Sequence, residues 1–227
     1  MLVREDAQGN VVDATYLQTP GALDVLYRAA EAMPLGADVL DGETAFAIWA
    51  PTAVAVAVCL YDDGHRKARE QIPLDVQQGN GTWVGFLPND LRGGYYAYLV
   101  DVFVPGTGIV RNRVTDPYST SLTTDSARSY IADLDDPALK PAGWDEAPRP
   151  PALASNTDMA LYELHVRDFS VNDATVPVAH RGKYLAFTDA GSNGMRHLRA
   201  LGEAGITDIH LLPVFDIATI PESGCVT

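Results

Sequence analysis

The sequence predicts a mainly β chain with an α/β tail: an antiparallel β-sandwich, then a strand–helix–strand unit. Three observations predict it. From Thr44 to Val114, short apolar runs alternate with turn signals and show no helical period between them. From Asp133 to Pro151, five prolines (Pro137, Pro141, Pro148, Pro150 and Pro151) fall in 19 positions and favour a stiff, extended connector. Beyond it, a strand-like run, a segment of helical period and a second strand-like run follow at short spacing.

The elements take this order. Residues 1–40 form a lead-in, where Pro20 to Met33 reads as one helix with Leu23, Leu26, Tyr27 and Ala30 on one face and Pro34 as the stop. Residues 41–135 form the sandwich. Its strands are expected at Ala45–Ala50, Val54–Tyr61, Gln71–Val76, Trp83–Leu87, Tyr95–Val104 and Ile109–Val114. Asp62-Asp63-Gly64, Gln78-Gly79-Asn80-Gly81, Gly93-Gly94 and Pro105-Gly106-Thr107-Gly108 supply the turns. Residues 136–157 are the proline-rich linker. In 158–227, strands at Asp158–Phe169 and Ile206–Phe215 flank a helix at Ser192–Ala204, with Ser192 as N-cap and Gly205 as stop. Short joints around a helix make the two strands parallel neighbours.

Composition narrows the function. Thirty acidic against 16 basic residues leave a formal charge of −14, which repels phosphate backbones and anionic membranes but is indifferent to neutral ligands. No nucleic-acid or membrane partner is expected. Cys59 and Cys225 show neither a disulfide framework nor zinc-ligand spacing, and Cys59 sits in an apolar run as a small buried hydrophobe. No run reaches the ~18 apolar residues of a membrane span. The opening MLVREDAQGN lacks a hydrophobic signal core, so the expected location is the cytoplasm, or outside it if an export signal lies beyond this sequence.

At Leu161-Tyr162-Glu163-Leu164-His165-Val166-Arg167-Asp168-Phe169-Ser170 the sequence resembles the first barrel strand of pullulanases and limit dextrinases, members of the α-amylase superfamily. The segments at residues 181–188 (RGKYLAFT) and 205–216 (GITDIHLLPVFD) agree, in order. Upstream, Trp49-Ala50-Pro51-Thr52-Ala53 and Val114-Thr115-Asp116-Pro117-Tyr118-Ser119 resemble the sandwich domain that precedes those barrels, similar to starch-binding modules of pullulanases, isoamylases and branching enzymes. The resemblance implies an immunoglobulin-like sandwich followed by a truncated (β/α)8 barrel, of which this chain holds the first βαβ unit. It also implies retaining hydrolysis of α-1,6 linkages in pullulan, amylopectin or limit dextrins, with an Asp nucleophile after the fourth barrel strand and a Glu acid/base after the fifth. Two carboxylates about 5 Å apart do that chemistry. None of them falls in this chain, so it is expected to be inactive alone and to need the remainder of the barrel as its partner. No cofactor is implied, and calcium is left open.

The residues present admit other roles. Asp168 and Asp216 lie just past neighbouring strand ends, where barrels build active sites, yet each more simply orders its own loop. Glu163, His165 and Arg167 share one strand parity, with His210 expected to join them in an ion-pair network, or with His165 at the rim touching substrate. Trp49, Trp83, Tyr95, Tyr96, Tyr98 and Tyr118 are the aromatic candidates in the sandwich. Trp49, Trp83, Tyr96 and His165 are taken as carbohydrate-binding candidates, although a strand aromatic is more often core; Tyr118 is read as docking the sandwich onto the barrel. Two functions stay open: a segment of a debranching hydrolase, or a starch- or glycogen-binding module without catalysis. Isoamylase and branching enzyme are the nearby families.

Overall fold

Alternating apolar residues and turn glycines set the strands of a computed structural model that describes residues 2–15, 20–64, 66–212, 214–215 and 221–222. The chain divides into two units, residues 1–142 with 218–227, and residues 143–217. In the first, β1 (Leu2–Glu5) and β2 (Val11–Thr15) form an antiparallel hairpin. Asp6 closes its turn by accepting the Gln8 and Asn10 amides at 2.9 Å. The lead-in thus carries a hairpin as well as a helix. The single helix expected over Pro20–Met33 is divided: α1 (Pro20–Leu26) stops at Tyr27, and a 3₁₀ helix covers Arg28–Ala32. A seven-residue helix with no buried side chain has little to extend it.

The sandwich comprises β3 (Gly36–Leu40), β4 (Glu43–Trp49), β5 (Ala53–Tyr61), β6 (Glu70–Pro73), β7 (Asp75–Gln77), β8 (Thr82–Leu87), β9 (Tyr95–Val104), β10 (Gly108–Val114) and β11 (Ser129–Tyr130). One sheet runs β10–β9–β5–β6 with β11 also on β9; the other runs β3–β4–β8–β7, and every pairing is antiparallel. The strand expected at Gln71–Val76 is two strands. Pro73 ends β6, Leu74 crosses with its amide on the Val56 carbonyl at 2.9 Å, and β7 begins in the opposite sheet. Proline cannot donate to a ladder, so a strand is readily broken there.

Phe46 and Ile48 of β4, Val56, Val58 and Leu60 of β5, Trp83 of β8 and Tyr96 and Tyr98 of β9 meet between the sheets. Leu74 and Ile131 complete this core. The outward set of β5 is also covered: Ala57, Cys59 and Tyr61 are buried, and burial pushes the Cys59 thiol up. That double burial explains the continuous apolar run from Val56 to Leu60, while Val54 just before it stays exposed.

In the second unit, β12 (Leu161–His165) pairs in parallel with β13 (Asp208–Leu212), from Leu161 opposite Asp208 to His165 opposite Leu212. Between them lie α2 (Val166–Ser170), a 3₁₀ helix at Tyr184–Thr188 and α3 (Asn193–Glu203). The strand expected to reach Phe169 ends at His165, whose Nδ1 accepts the Arg167 amide at 3.2 Å and caps α2. Ser192 caps α3 through the Met195 amide at 3.2 Å, and Gly205 follows it at φ +102°. Asp173 adds a second cap: its carboxylate accepts the Gly194 amide at 3.1 Å, the Asn193 side chain at 3.2 Å and the Thr175 hydroxyl at 2.6 Å. Those donors, the Thr175 hydroxyl first, hold it down at about 2.

The three segments of the resemblance meet in this unit. Phe169 stacks on Phe187 with ring centroids 4.3 Å apart and planes 5° apart. Gly194 lies beneath the Phe169 ring, where a Cβ would stand 2.7 Å from Cζ. Among the described residues, no helix is long and apolar enough to cross a membrane.

Candidate functional site

Strand parity decides which aromatics can meet a ligand. Trp83 is 9% exposed, its indole N–H donating to the Ala50 carbonyl at 3.0 Å, and Tyr96 is 1% exposed between Phe46 and Tyr98. Both carbohydrate-binding expectations are corrected: inward parity places these rings in the core, with no face left for a sugar. Tyr98 is equally buried. Trp49, next to inward-facing Ile48, takes the outer face of its sheet. Its indole N–H donates to the Asn80 carbonyl at 3.1 Å, which fixes the ring.

Trp49 lines an open cleft of about 290 Å³ with Tyr27 and Tyr118 and with Asp24, Arg28 and Glu31. Three features build it. The 3₁₀ helix presents Arg28 and Glu31, and Tyr27 precedes it. Gly81, at φ +69°, lets Tyr27 approach, since a Cβ there would stand 3.2 Å from Tyr27 Cδ1 and 2.7 Å from Pro51 Cβ. Asp116 holds Tyr118: one carboxylate oxygen accepts the Tyr118 amide at 2.8 Å and the other the Tyr96 hydroxyl at 2.6 Å. The Asp116 amide in turn donates to the Ser129 hydroxyl at 3.1 Å. Burial pushes the Asp116 carboxyl up, and the Tyr96 hydroxyl and Tyr118 amide oppose that shift. The Asp-Pro-Tyr segment is therefore a buried polar anchor that sets an exposed ring in a cleft. Aromatic surface rimmed by carboxylates and a guanidinium suits a neutral, hydroxyl-rich ligand: rings cover C–H faces while the polar groups meet hydroxyls.

Tyr27 falls on the apolar face of the expected lead-in helix, a pattern that reads as packing, and Tyr118 after Asp-Pro reads as a docking residue; neither carries a local signal for ligand contact. The spacing of Tyr27 before Pro34 carries no signal for a cleft that a distant turn completes.

His165 lies elsewhere, exposed at the end of β12, in a cleft of about 350 Å³ with Tyr162, Glu163, Asp168, Phe169 and His197. Two positions earlier on β12, Glu163 lies opposite His210 in register and its Oε2 meets His210 Nδ1 at 3.3 Å, so the expected Glu163–His210 pair forms. Arg167 leaves the row because it is already helical, and it pairs with Asp168 at 3.4 Å. Tyr162, on the other parity, meets His197 of α3 edge-on at 5.7 Å. Asp216 and Cys225 lie outside the described residues. Among the described residues, no three His, Cys, Asp or Glu side chains converge as a metal site.

Comparison with known proteins adds the relatives. Residues 34–119 match carbohydrate-binding module 48, described as the isoamylase N-terminal domain. A pullulanase of Klebsiella pneumoniae is 43% identical over 219 residues, covering 94% of this chain and 20% of its own length. Pullulanase 1, chloroplastic, of Arabidopsis thaliana is 41% identical and is covered to 22%. Among solved structures, the Klebsiella oxytoca pullulanase aligns with 98% of this chain and 21% of its own at TM-score 0.84 and 40% identity. A maltotriose complex of the Klebsiella pneumoniae pullulanase aligns at TM-score 0.83 over 97% of this chain and 24% of its own. The chain thus spans about a fifth of the length of the curated relatives it matches. Residues 34–119 match the model of carbohydrate-binding module 48, and the chain is similar over nearly its whole length to one segment of the pullulanases.

Proposed function

We propose that this chain is the glucan-holding part of a pullulanase-type debranching glycoside hydrolase, acting on α-1,6 linkages of pullulan, amylopectin or limit dextrins by a retaining mechanism. Residues 41–135 hold the glucan, residues 1–40 supply one wall of the site, and residues 136–157 link to residues 158–227, the start of a (β/α)8 barrel. The observation that carries the glucan-holding role is the Tyr27–Trp49–Tyr118 cleft on a carbohydrate-binding module.

The barrel reading is supported by the parallel β12–β13 pair with α3 in its connection. Leu161, 59% exposed, and Ile209, 41% exposed, lie on opposite faces of that two-stranded sheet, apolar surface that the interior and the helix layer of a barrel would cover. His165 belongs to the same rim, where barrels meet substrate. The catalytic carboxylates lie outside these 227 residues, and the chain alone is inactive; reducing-sugar release from pullulan by the purified chain would refute that clause.

Affinity electrophoresis through amylopectin gels tests the holding role. The chain migrates more slowly as amylopectin increases, and Trp49→Ala, with an unchanged circular-dichroism spectrum, weakens binding about tenfold. Equal retardation of the two proteins would overturn the assignment of the cleft.

A further inference from the structure

The other sheet carries a second aromatic feature. Tyr61 ends β5 opposite Tyr95 at the start of β9, and Tyr95 lies opposite Tyr130 of β11. The three therefore form a row across adjacent strands. Inward-facing Leu60, Tyr96 and Ser129 flank them in sequence, so the row occupies the outer face. Tyr61 is buried beneath the Arg128 guanidinium, 3.8 Å above its ring. Tyr95 and Tyr130 are half-buried, their centroids 5.2 Å apart and their planes inclined by 56°. They line an open cleft of about 630 Å³ with Asp63, Ser121, Thr123 and Thr124.

We propose that this Tyr95–Tyr130 cleft is a second α-glucan contact, resting on the glucan-holding function above. Its lining is aromatic and hydroxyl-bearing, with Gly64, Leu122 and the Asp63 carboxylate, which Arg66 pairs at 3.1 Å, and no Lys or Arg lines it. Together with the charge of −14, that selects a neutral polyhydroxylated ligand over an anion. Two inclined rings follow a chain that curves, where coplanar rings would follow a flat one.

The cleft is also built in advance. Arg128, 6% exposed, donates to the Asp63 and Arg66 carbonyls at 2.6 Å each. Its own amide donates to the Thr123 hydroxyl at 3.0 Å, and the Thr123 amide returns to the Arg128 carbonyl at 3.0 Å. One side chain thereby ties the turn after β5 to the loop before β11. A site held this way costs little ordering on binding.

Trp49 and Tyr95 stand on the outer faces of opposite sheets. A short oligosaccharide occupies one cleft at a time, whereas a branched polymer can engage both, which raises its apparent affinity.

The test is an amide chemical-shift titration of the isotope-labelled chain with maltoheptaose. Two separate sets of shifts are expected, one at Asn80 and Gly81 beside Trp49, the other at Gly64, Ser121, Thr123 and Tyr130. Tyr130→Ala weakens the second set about tenfold and leaves the first; Trp49→Ala does the reverse. Shifts confined to the Trp49 side of the wild-type chain would overturn the second contact and leave the first standing. Shifts confined to the Tyr130 side would uphold it and overturn the Trp49 assignment. No shifts anywhere would overturn both. The wild-type map decides these outcomes even if Tyr130→Ala fails to fold.

Discussion

Two tyrosine hydroxyls lie in the same core, and their removal should act in opposite directions. Tyr96 donates to the Asp116 carboxylate at 2.6 Å, whereas the Tyr98 hydroxyl, also buried, has no hydrogen-bond partner among the described residues. In Tyr96→Phe the ring keeps its edge contacts with Phe46 at 5.1 Å and Tyr98 at 5.6 Å, so the loss is the hydrogen bond alone. A bond to a charged acceptor contributes about 1.5–3 kcal/mol, and its removal leaves the carboxylate buried with one donor fewer. Tyr98→Phe removes a desolvated hydroxyl that gains nothing, and should be neutral or stabilising by about 1 kcal/mol. The two variants should therefore differ by about 1.5–4 kcal/mol.

The assay is urea unfolding at neutral pH followed by tryptophan emission, in a Trp144→Phe background so that Trp49 and buried Trp83 report the sandwich. Tyr96→Phe should lower the midpoint by about 1 M. The pH dependence has a defined sign. Burial raises the Asp116 carboxyl in the fold, so its contribution is most favourable below 3.8 and is lost as pH rises through the raised folded value. Removing the Tyr96 donor raises it further, so the penalty of Tyr96→Phe should be largest at neutral pH and shrink as acid protonates Asp116. Equal losses in the two variants, or a Tyr96→Phe midpoint indistinguishable from wild type at every pH, would refute the anchoring role of Asp116.

Two further outcomes follow from the second unit. Asp173, held at about 2, favours the fold above 3.8 and ceases to do so as pH falls toward 2; the amide-exchange protection factor at Gly194, whose N–H it accepts, should therefore fall across that window, and Asp173→Asn should flatten the response. Gly194→Ala drives a methyl into the Phe169 ring, 2.7 Å from Cζ, and should cost about 1–3 kcal/mol; loss of protection in α3 measured by hydrogen exchange, with the sandwich unchanged, would confirm it.

Strand positions were largely legible because turn glycines and apolar runs are local signals. Tyr95–Val104 was bounded correctly, and Ser192 and Gly205 framed α3. Which way each aromatic faces was not legible. β5 is apolar on both faces, so alternation within it gives no inside or outside, and Trp83 on β8 and Tyr96 on β9, both buried, carry no local mark that separates a core ring from a carbohydrate-binding one. Three elements were missed for different reasons. The hairpin at residues 2–15 turns on Asp6, a side-chain closure with no apolar periodicity. β3 is a short strand whose Gly36, at φ +105°, gives no strand signal. β11 has only two residues, and its Tyr130 acquires meaning only through Tyr95, thirty-five positions earlier.

The crossing at Pro73-Leu74 has a mechanical consequence. Because one continuous stretch is woven first into one layer and then into the other, sliding the layers apart would have to peel β6 or β7 away and pull Leu74 out of the interior. Shear between the layers is thus resisted by a stitch within the backbone as well as by side-chain packing. Load passed from a long polysaccharide to either outer surface would be shared by the whole module.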